Sequence, residues 1–511
     1  MKTTFKLSSL TLLTLSLLCA CGERTPRKAA ESNYVVIDSL DSEEQIIWKA
    51  AHVVPSPRQL EWQKQELTAF AHFGLNTFAD KQWGSGNDDP SLFNPTAFDP
   101  AQWVSTLKKA GFRSLILTCK HHDGFCLWPS EYTDYSVKSS PWMDGKGDVV
   151  RAVSDACHEQ GLGFGVYLSP WDRHEKSYGS DGYNDYFVNQ LTELLTLYGP
   201  VCEVWFDGAN GEGPNGKKQE YDYDRWYRLI RELQPGCVIA VVGPDVRWVG
   251  NERGVARESE WSVVPNANLS PEMIAENSQK ELIVPPTRVN RDEDLGSREL
   301  LLKAGTLVWY PAECDVSIRP SWFYTDSDNG KTKSAERLMD IYFSSVGRNS
   351  NLLLNIPPNR EGLFGEDEVK SLTEFAHMKD SLFAENLLES ARISLDSRSD
   401  NGLRELCDSV FESSIALAAG NDGGWGALEF CWDNPQTFST LLIQEDISQG
   451  QRIEEFSLEY QAEDGQWLKA AEGTTVGYKR LLRFDPVKAS RLRLVIPAAR
   501  HTPVLSEVGL Y

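Results

Sequence analysis

The chain has 511 residues, roughly three times the ~150 of a single domain, and its 41% hydrophobic residues with 16 Trp, 17 Tyr and 21 Phe can bury a large core. A small module and a disordered protein are both excluded. With 74 acidic against 51 basic residues the net charge is −23, which repels phosphate backbones, so nucleic acid is not an expected partner.

At the N-terminus Lys2 and Lys6 precede an apolar run, Leu7 to Leu18, that is too short to span a bilayer but suits the apolar region of a signal segment. The run ends in Leu18-Cys19-Ala20-Cys21-Gly22, which resembles a bacterial lipobox with Cys21 as the residue to be lipidated. Residues 1–21 are therefore expected to be a lipoprotein signal, residues 22–50 a polar tether, and the mature chain a cell-envelope protein held to the membrane by that lipid only. An ordinary cleaved secretory signal is the alternative. The cysteines from Cys119 to Cys431 show neither zinc-ribbon nor CxxC spacing and sit in apolar contexts, so buried free thiols are expected rather than a disulfide framework.

From about residue 65 to 380, short apolar runs alternate with amphipathic stretches, the pattern of parallel βα units. Strands are expected at Ala69–Asn76, Ser114–Lys120, Phe164–Ser169, Cys202–Asp207, Val238–Val242 and Asn351–Ile356, with one or two ill-defined strands between Val255 and Pro311. Helices are expected at Pro100–Ala110, Val149–Gln160, Tyr186–Tyr198, Tyr223–Leu233 and Ala335–Val346. This count suits an α/β chain whose residues 51–383 form a (β/α)8-like barrel. The alternative, an open doubly wound sheet, lacks a glycine-rich phosphate turn after an early strand. Beyond Phe383 the segments Val410–Leu417, Ala427–Cys431, Thr437–Gln444, Ile453–Gln461, Leu481–Phe484 and Ser490–Ile496 read as strands of a β-sandwich over residues 384–511.

Reacting groups of such a barrel sit at the carboxyl ends of its strands. Polar residues after apolar runs there are His72; His121, His122 and Asp123; Tyr167, Trp171 and Asp172; and Trp205 with Asp207. A strand-end Asp alone also reads as a helix cap. Three histidines among several tryptophans, however, suit a sugar, because indole rings stack on aliphatic C–H faces while imidazoles bind hydroxyls. A metal centre at His121, His122 and Asp123 is disfavoured, since adjacent strand residues point to opposite sides. No metal and no cofactor is expected.

Five motifs in series, HFGLNTF (72–78), KHHDGFCLW (120–128), YLSPWD (167–172), VWFDG (204–208) and GNERGVARESEWS (250–262), resemble the glycoside hydrolase family 29 α-L-fucosidases over about residues 65–380. Many members also carry a C-terminal β-sandwich, and the one expected here is similar to discoidin-like carbohydrate-binding modules, with bracing of the barrel as the simpler role. The last motif resembles the subgroup selective for α-1,3/α-1,4-linked fucose of Lewis-type glycans. The resemblance implies an exo-acting, retaining double displacement on fucosylated oligosaccharides. It makes Asp207 the nucleophile, places Trp205 in the pocket wall, and gives His72, His121, His122 and Tyr167 the fucose hydroxyls. Glu252, Glu258, Glu260 and Glu313 compete for the acid/base role. Glu252 is favoured by its place in the GNE segment, and Glu260 is next. The chain departs from the subgroup at Gln82-Trp83, where a Glu-Trp pair is usual; Trp83 remains a wall residue, while a fucose contact by Gln82 is open. Trp322 in RPSWFY (319–324) is a second wall residue or a core residue. Glu313 and Asp315 could meet a branched galactose or form surface salt pairs. Two other functions remain: a broad-specificity fucosidase acting on α-1,2 linkages and aryl fucosides, and a non-catalytic glycan-binding lipoprotein, against which the pairing of Asp207 with a candidate Glu argues.

Overall fold

The computed structural model describes residues 32–266, 294–395, 398–399, 401–407, 413–417 and 424–511, so Cys21 and the signal segment lie outside the described residues. Eight parallel strands build the first layer: β1 (Leu67–Ala71), β2 (Ser114–Lys120), β3 (Gly163–Leu168), β4 (Glu203–Phe206), β5 (Val238–Val241), β6 (Arg247–Trp248), β7 (Ala312–Ser317) and β8 (Ser350–Asn355). They pair in the order β5-β4-β3-β2-β1-β8-β7-β6. The two ends of this order meet through a single bridge, Ala240 to Val246, so the barrel is nearly closed. Every residue of β1, β2, β4, β5, β7 and β8 is buried, as parallel strands covered on both faces require.

The outer ring carries α1 (Pro100–Lys109), α2 (Val149–Gln160), α3 (Asp181–Leu197), α4 (Tyr223–Leu233), α5 (Ala335–Ser344) and α6 (Glu366–Leu382). Their ends follow the local chemistry. Asp99 accepts the N–H groups of Ala101 and Gln102 at 3.0 and 3.2 Å, with Pro100 in the first turn. Asp148 caps α2 at Arg151, and Gly161 ends it at φ 71°, a left-handed conformation that glycine adopts without penalty.

Several expected boundaries change. Strand β1 stops at Ala71 rather than Asn76, and Leu75–Ala79 forms a short helix, so His72 stands just past the strand. The interval between Val255 and Pro311 contributes no barrel strand among its described residues. The sixth strand is the two-residue β6 upstream of it, and the seventh begins only at Ala312. The strands inside the interval, Val263–Pro265 and Thr306–Trp309, join Tyr34–Val36 in a separate antiparallel sheet. The half-buried alternation of Thr306–Trp309 suits such a one-sided sheet, and Pro265 has no N–H for a central ladder. Part of the stretch expected as tether is folded too. Helix Glu43–Ala50, capped by Ser42 and Gln45, buries Ile46, Ile47 and Ala50 against Val263, Leu301, Leu307 and Trp309.

The C-terminal region is an antiparallel β domain around Leu428, Phe430, Phe438, Leu441, Phe456 and Leu492. Ala427–Cys431 and Thr437–Gln444 are two ends of one strand, Trp425–Glu445, whose register shifts between Cys431 and Gln436. Leu481–Phe484 and Ser490–Ile496 likewise belong to Arg480–Ala499. Pro435 and Pro486 interrupt these strands, and a residue without an N–H reads as a turn while a bulge tolerates it. Strands Arg392–Leu395, Trp467–Gly473 and Val504–Leu510 were not expected, and of Val410–Leu417 only Ile415–Ala416 pairs, residues 410–412 lying outside the described ones. The domain clasps the barrel by hydrogen bonds: Gln451 accepts Ser262 N–H at 2.7 Å and donates to the Glu260 carbonyl at 3.1 Å, and Tyr478 N–H reaches Asn349 Oδ1 at 2.7 Å. The eight described cysteines are free thiols.

Candidate active site

Side chains alternate along a strand, so Glu203, Trp205 and, just past the strand end, Asp207 succeed one another up the inner face of β4, as Glu313, Asp315 and Ser317 do on β7. Above these rows opens a cavity of about 150 Å³. His72, His121, His122, Trp83, Trp205, Asp207, Glu252 and Trp322 all line it, together with Phe70, Gln82, Ala209 and Asp315. Tyr167 is buried behind the wall. Its hydroxyl donates to Asp207 Oδ2 at 3.1 Å and its ring stacks on Trp205 at 5.5 Å, so it touches the carboxylate rather than the cavity.

Asp207 is held at both oxygens. Oδ2 accepts Tyr167, and Oδ1 accepts the Ala209 N–H at 2.7 Å. His122 Nε2 stands 3.8 Å from Oδ2. The Ser169 hydroxyl donates to the Trp171 carbonyl at 2.6 Å, so at 2.7 Å it accepts a proton from His122 Nδ1 and leaves Nε2 as an acceptor. His72 donates Nδ1–H to Asn355 Oδ1 at 2.8 Å in the same way. Burial lowers all three imidazole pKa values: His72 to about 3, His121 well below its ordinary value, and His122 less far because the Asp207 charge opposes. The rings are neutral at pH 7 and offer hydrogen bonds without charge.

The four competing acids separate. Only Glu252 lines the cavity, where Trp322 Nε1–H donates to its Oε2 at 3.2 Å. The residue is exposed at the mouth of the cavity, but desolvation of its carboxyl on the cavity side raises its pKa, the indole N–H opposes, and the Asp207 charge raises it further. Glu258 is exposed and paired with Arg348 and Arg480. Glu260, the second choice on sequence, is 1% exposed and clamped by Arg247 and Arg257; burial pushes its carboxyl up, but the two guanidinium groups outweigh it and hold it below the ordinary range. Glu313 lies beneath Trp205, accepting its Nε1–H at 2.8 Å, and reaches neither a galactose nor the surface. Asp315 does line the cavity. It accepts Trp248 Nε1–H at 2.7 Å and, being buried, is pushed well above its usual range, so it is no surface salt partner.

Gln82 has a position and a reason. Its Oε1 accepts the N–H groups of Trp322 and Phe323, both at 2.9 Å, and its Nε2 donates to the Phe323 carbonyl at 3.1 Å. An amide makes all three bonds, whereas a carboxylate has no donor for the last. Trp322 is thereby held over the cavity, 5.1 Å from the His72 ring, as a wall residue rather than a core one. Trp83, 48% exposed, sets its edge on His122 and Trp171 at 5.5 Å each. Phe70, Ser169 and Asn355 were missed. Asn355 ends β8 and obeys the strand-end rule; Phe70 is apolar and was indistinguishable from core. Asp123 points away towards Gly84, with burial pushing it up to about 7. Among the described residues no three His, Cys, Asp or Glu side chains converge as a metal centre.

Residues 42–379 match the family model described as α-L-fucosidase. Over 472 residues the chain is 46% identical to α-L-fucosidase 1 of Arabidopsis thaliana, covering 90% of this chain and 87% of that one. A crystal structure from Bacteroides ovatus assigned to the α-L-fucosidases superposes with a TM-score of 0.82 at 48% identity, over 94% of this chain and 78% of the other. A family 29 fucosidase of Ruminococcus gnavus in complex with fucose superposes with a TM-score of 0.77 at 34% identity, over 90% and 94%.

Proposed function

The chain belongs to the α-L-fucosidase family of glycoside hydrolases, and from that premise we propose that it is an exo-acting, retaining enzyme that releases terminal α-1,3- or α-1,4-linked L-fucose from Lewis-type glycans. One observation carries the mechanistic part: of the candidate acids in and near the 250–262 motif, Glu252 alone shares a cavity with Asp207.

Asp207 attacks the anomeric carbon while Glu252 protonates the leaving oxygen; Glu252 then takes a proton from the water that cleaves the fucosyl-enzyme. The local chemistry supports this division of labour. Asp207 is oriented at both oxygens by Tyr167 and Ala209, as a nucleophile must be. Glu252 is biased towards its protonated form by partial desolvation on the cavity side and by the Asp207 charge, as a general acid must be. Neutral His72, His121 and His122 bind sugar hydroxyls, and Trp83, Trp205 and Trp322 receive its C–H faces. Asp315, lining the cavity near Glu252, is the contact left for a branched galactose once Glu313 is removed. Lipidation at Cys21 places the enzyme on the bacterial cell envelope, with the β domain as a brace.

The test is Asp207→Ala. Turnover of natural substrate falls by several orders of magnitude with the fold intact, and azide restores cleavage of an activated aryl fucoside to give β-fucosyl azide, the product of attack in the vacated space. Near wild-type turnover, or an α-configured azide, removes Asp207 from the role.

A further inference from the structure

The interior of the barrel holds two acids that the reaction does not use. Glu203 opens β4 and Glu313 is the second residue of β7; they are 0% and 1% exposed. Each gives one oxygen to an indole. Glu203 Oε2 accepts Trp62 Nε1–H at 2.9 Å, and Glu313 Oε2 accepts Trp205 Nε1–H at 2.8 Å. The other oxygen of each, Oε1, is fully buried and finds no protein donor. The two carboxyl groups lie within hydrogen-bonding reach of one another.

Among the described residues no cation is among the charges that act on Glu203 or Glu313; Arg247 pairs with Glu260 although its Nη1 is left over, Lys120 pairs with Asp172, and the half-buried Arg58 and Arg231 pair with Asp245. The remaining titratable neighbours, Asp315, Cys202 and Cys237, supply no positive charge. Two touching carboxylates without a cation cannot both be ionised in such an interior. A proton placed between the orphan oxygens removes the repulsion and satisfies both atoms, one carboxylic acid donating and one carboxylate accepting. We propose that Glu203 and Glu313 share a single proton inside the barrel, and that Glu313, as a positioning residue, thereby fixes Trp205 in the wall of the active site. Burial acts in the same direction on both groups, raising each carboxyl above its ordinary range, and the Glu203 charge raises Glu313 further. Trp205 in turn stacks on Tyr167, whose hydroxyl orients Asp207, so the pair supports the nucleophile's own partner.

The positioning half rests on the cavity being the fucose site; the shared proton does not, and the two are tested separately. In Glu203→Gln and Glu313→Gln, each made in the full chain, the amide donates to the remaining carboxylate and the bonds to the indoles survive. Infrared difference spectra of wild type against either variant at pH 7 should show loss of one carboxylic-acid C=O band that shifts in deuterium oxide. A raised folded pKa confers stability that is fully present below the unfolded carboxyl value of 4.5 and is lost as pH rises from there through the folded one, so the wild type should lose Tm relative to either variant from about pH 4.5 upward. No difference band, or a Tm gap between wild type and variants that is the same in acid as at neutral pH, overturns the shared proton. For positioning, Glu313→Leu deletes the acceptor of Trp205 and should lower kcat/KM up to about 100-fold, while Glu313→Gln rescues it. A folded Glu313→Leu enzyme with the turnover of the Gln variant overturns the positioning role; if the Leu variant does not fold, Glu313→Met, which fills the site without an oxygen acceptor, should show the same loss, and undiminished turnover there overturns the role equally.

Discussion

Trp322→Phe removes one hydrogen bond to the proposed general acid. The phenyl ring keeps an aromatic face towards His72 and Phe70, whose rings lie 5.1 and 6.4 Å from the indole, but gives up part of the indole area together with the Nε1–H donated to Glu252 Oε2 at 3.2 Å; lost area lowers the rate at every pH, whereas the lost hydrogen bond moves the profile along the pH axis. That bond stabilises the carboxylate over the acid, so its removal raises the pKa of Glu252. Hydrogen bonds to charged groups contribute about 1.5–3 kcal/mol. Glu252 is open to solvent on its outer side, where water replaces part of the loss, so about 0.7–1.4 kcal/mol remains. At 1.36 kcal/mol per unit this is an upward shift of about 0.5–1 pH unit. An acid that stays protonated to higher pH carries the alkaline limb of kcat/KM with it. The assay is the pH profile on a fucosylated oligosaccharide, whose leaving oxygen needs the proton, with an activated nitrophenyl fucoside as the substrate that does not. An alkaline limb that stays in place or moves to lower pH on the oligosaccharide refutes the assignment of Glu252.

Glu260→Gln strands Arg247 and Arg257 in a buried setting and should cost about 3–5 kcal/mol of stability, read as a lower Tm, with turnover of the folded enzyme unchanged. Because the Glu260 carboxyl titrates below its unfolded value, that stability is present above the unfolded pKa and lost as pH falls through the folded one, so the Tm gap should close in acid. Cys21→Ala should release the protein from membranes without altering activity in lysate; wild type found in the soluble periplasmic fraction would mean a cleaved secretory signal instead. For linkage, kcat/KM on Lewis a or Lewis x trisaccharide should exceed that on 2′-fucosyllactose by more than ~100-fold, about 2.7 kcal/mol of transition-state binding. Equal rates would favour the broad-specificity reading.

What the sequence determined by itself was the chemistry that follows from chain order. Apolar runs ending in His121-His122 or in Trp205-Phe206-Asp207 announce buried strands with polar tips, and a parallel barrel brings all such tips to one end because every strand runs the same way. His72, His122, Trp205 and Asp207 were legible for that reason. Choices between similar groups were not. Glu252 and Glu260 are eight residues apart in one irregular segment, and only the approach of Arg247 from β6 decides which of them is a clamped structural anion and which opens on the cavity. Glu313 and Asp315 share one inward row, so alternation puts both inside; which strand the closed barrel sets opposite β7 decides their partners, and Glu313 meets Glu203 and Trp205 while Asp315 reaches the cavity. The role of Gln82 depends on a partner 240 residues away. Local pattern governs which face a side chain takes, because backbone geometry is periodic; the charge state and duty of a buried acid are set by whichever neighbour the closed barrel brings against it, and that neighbour is written elsewhere in the chain.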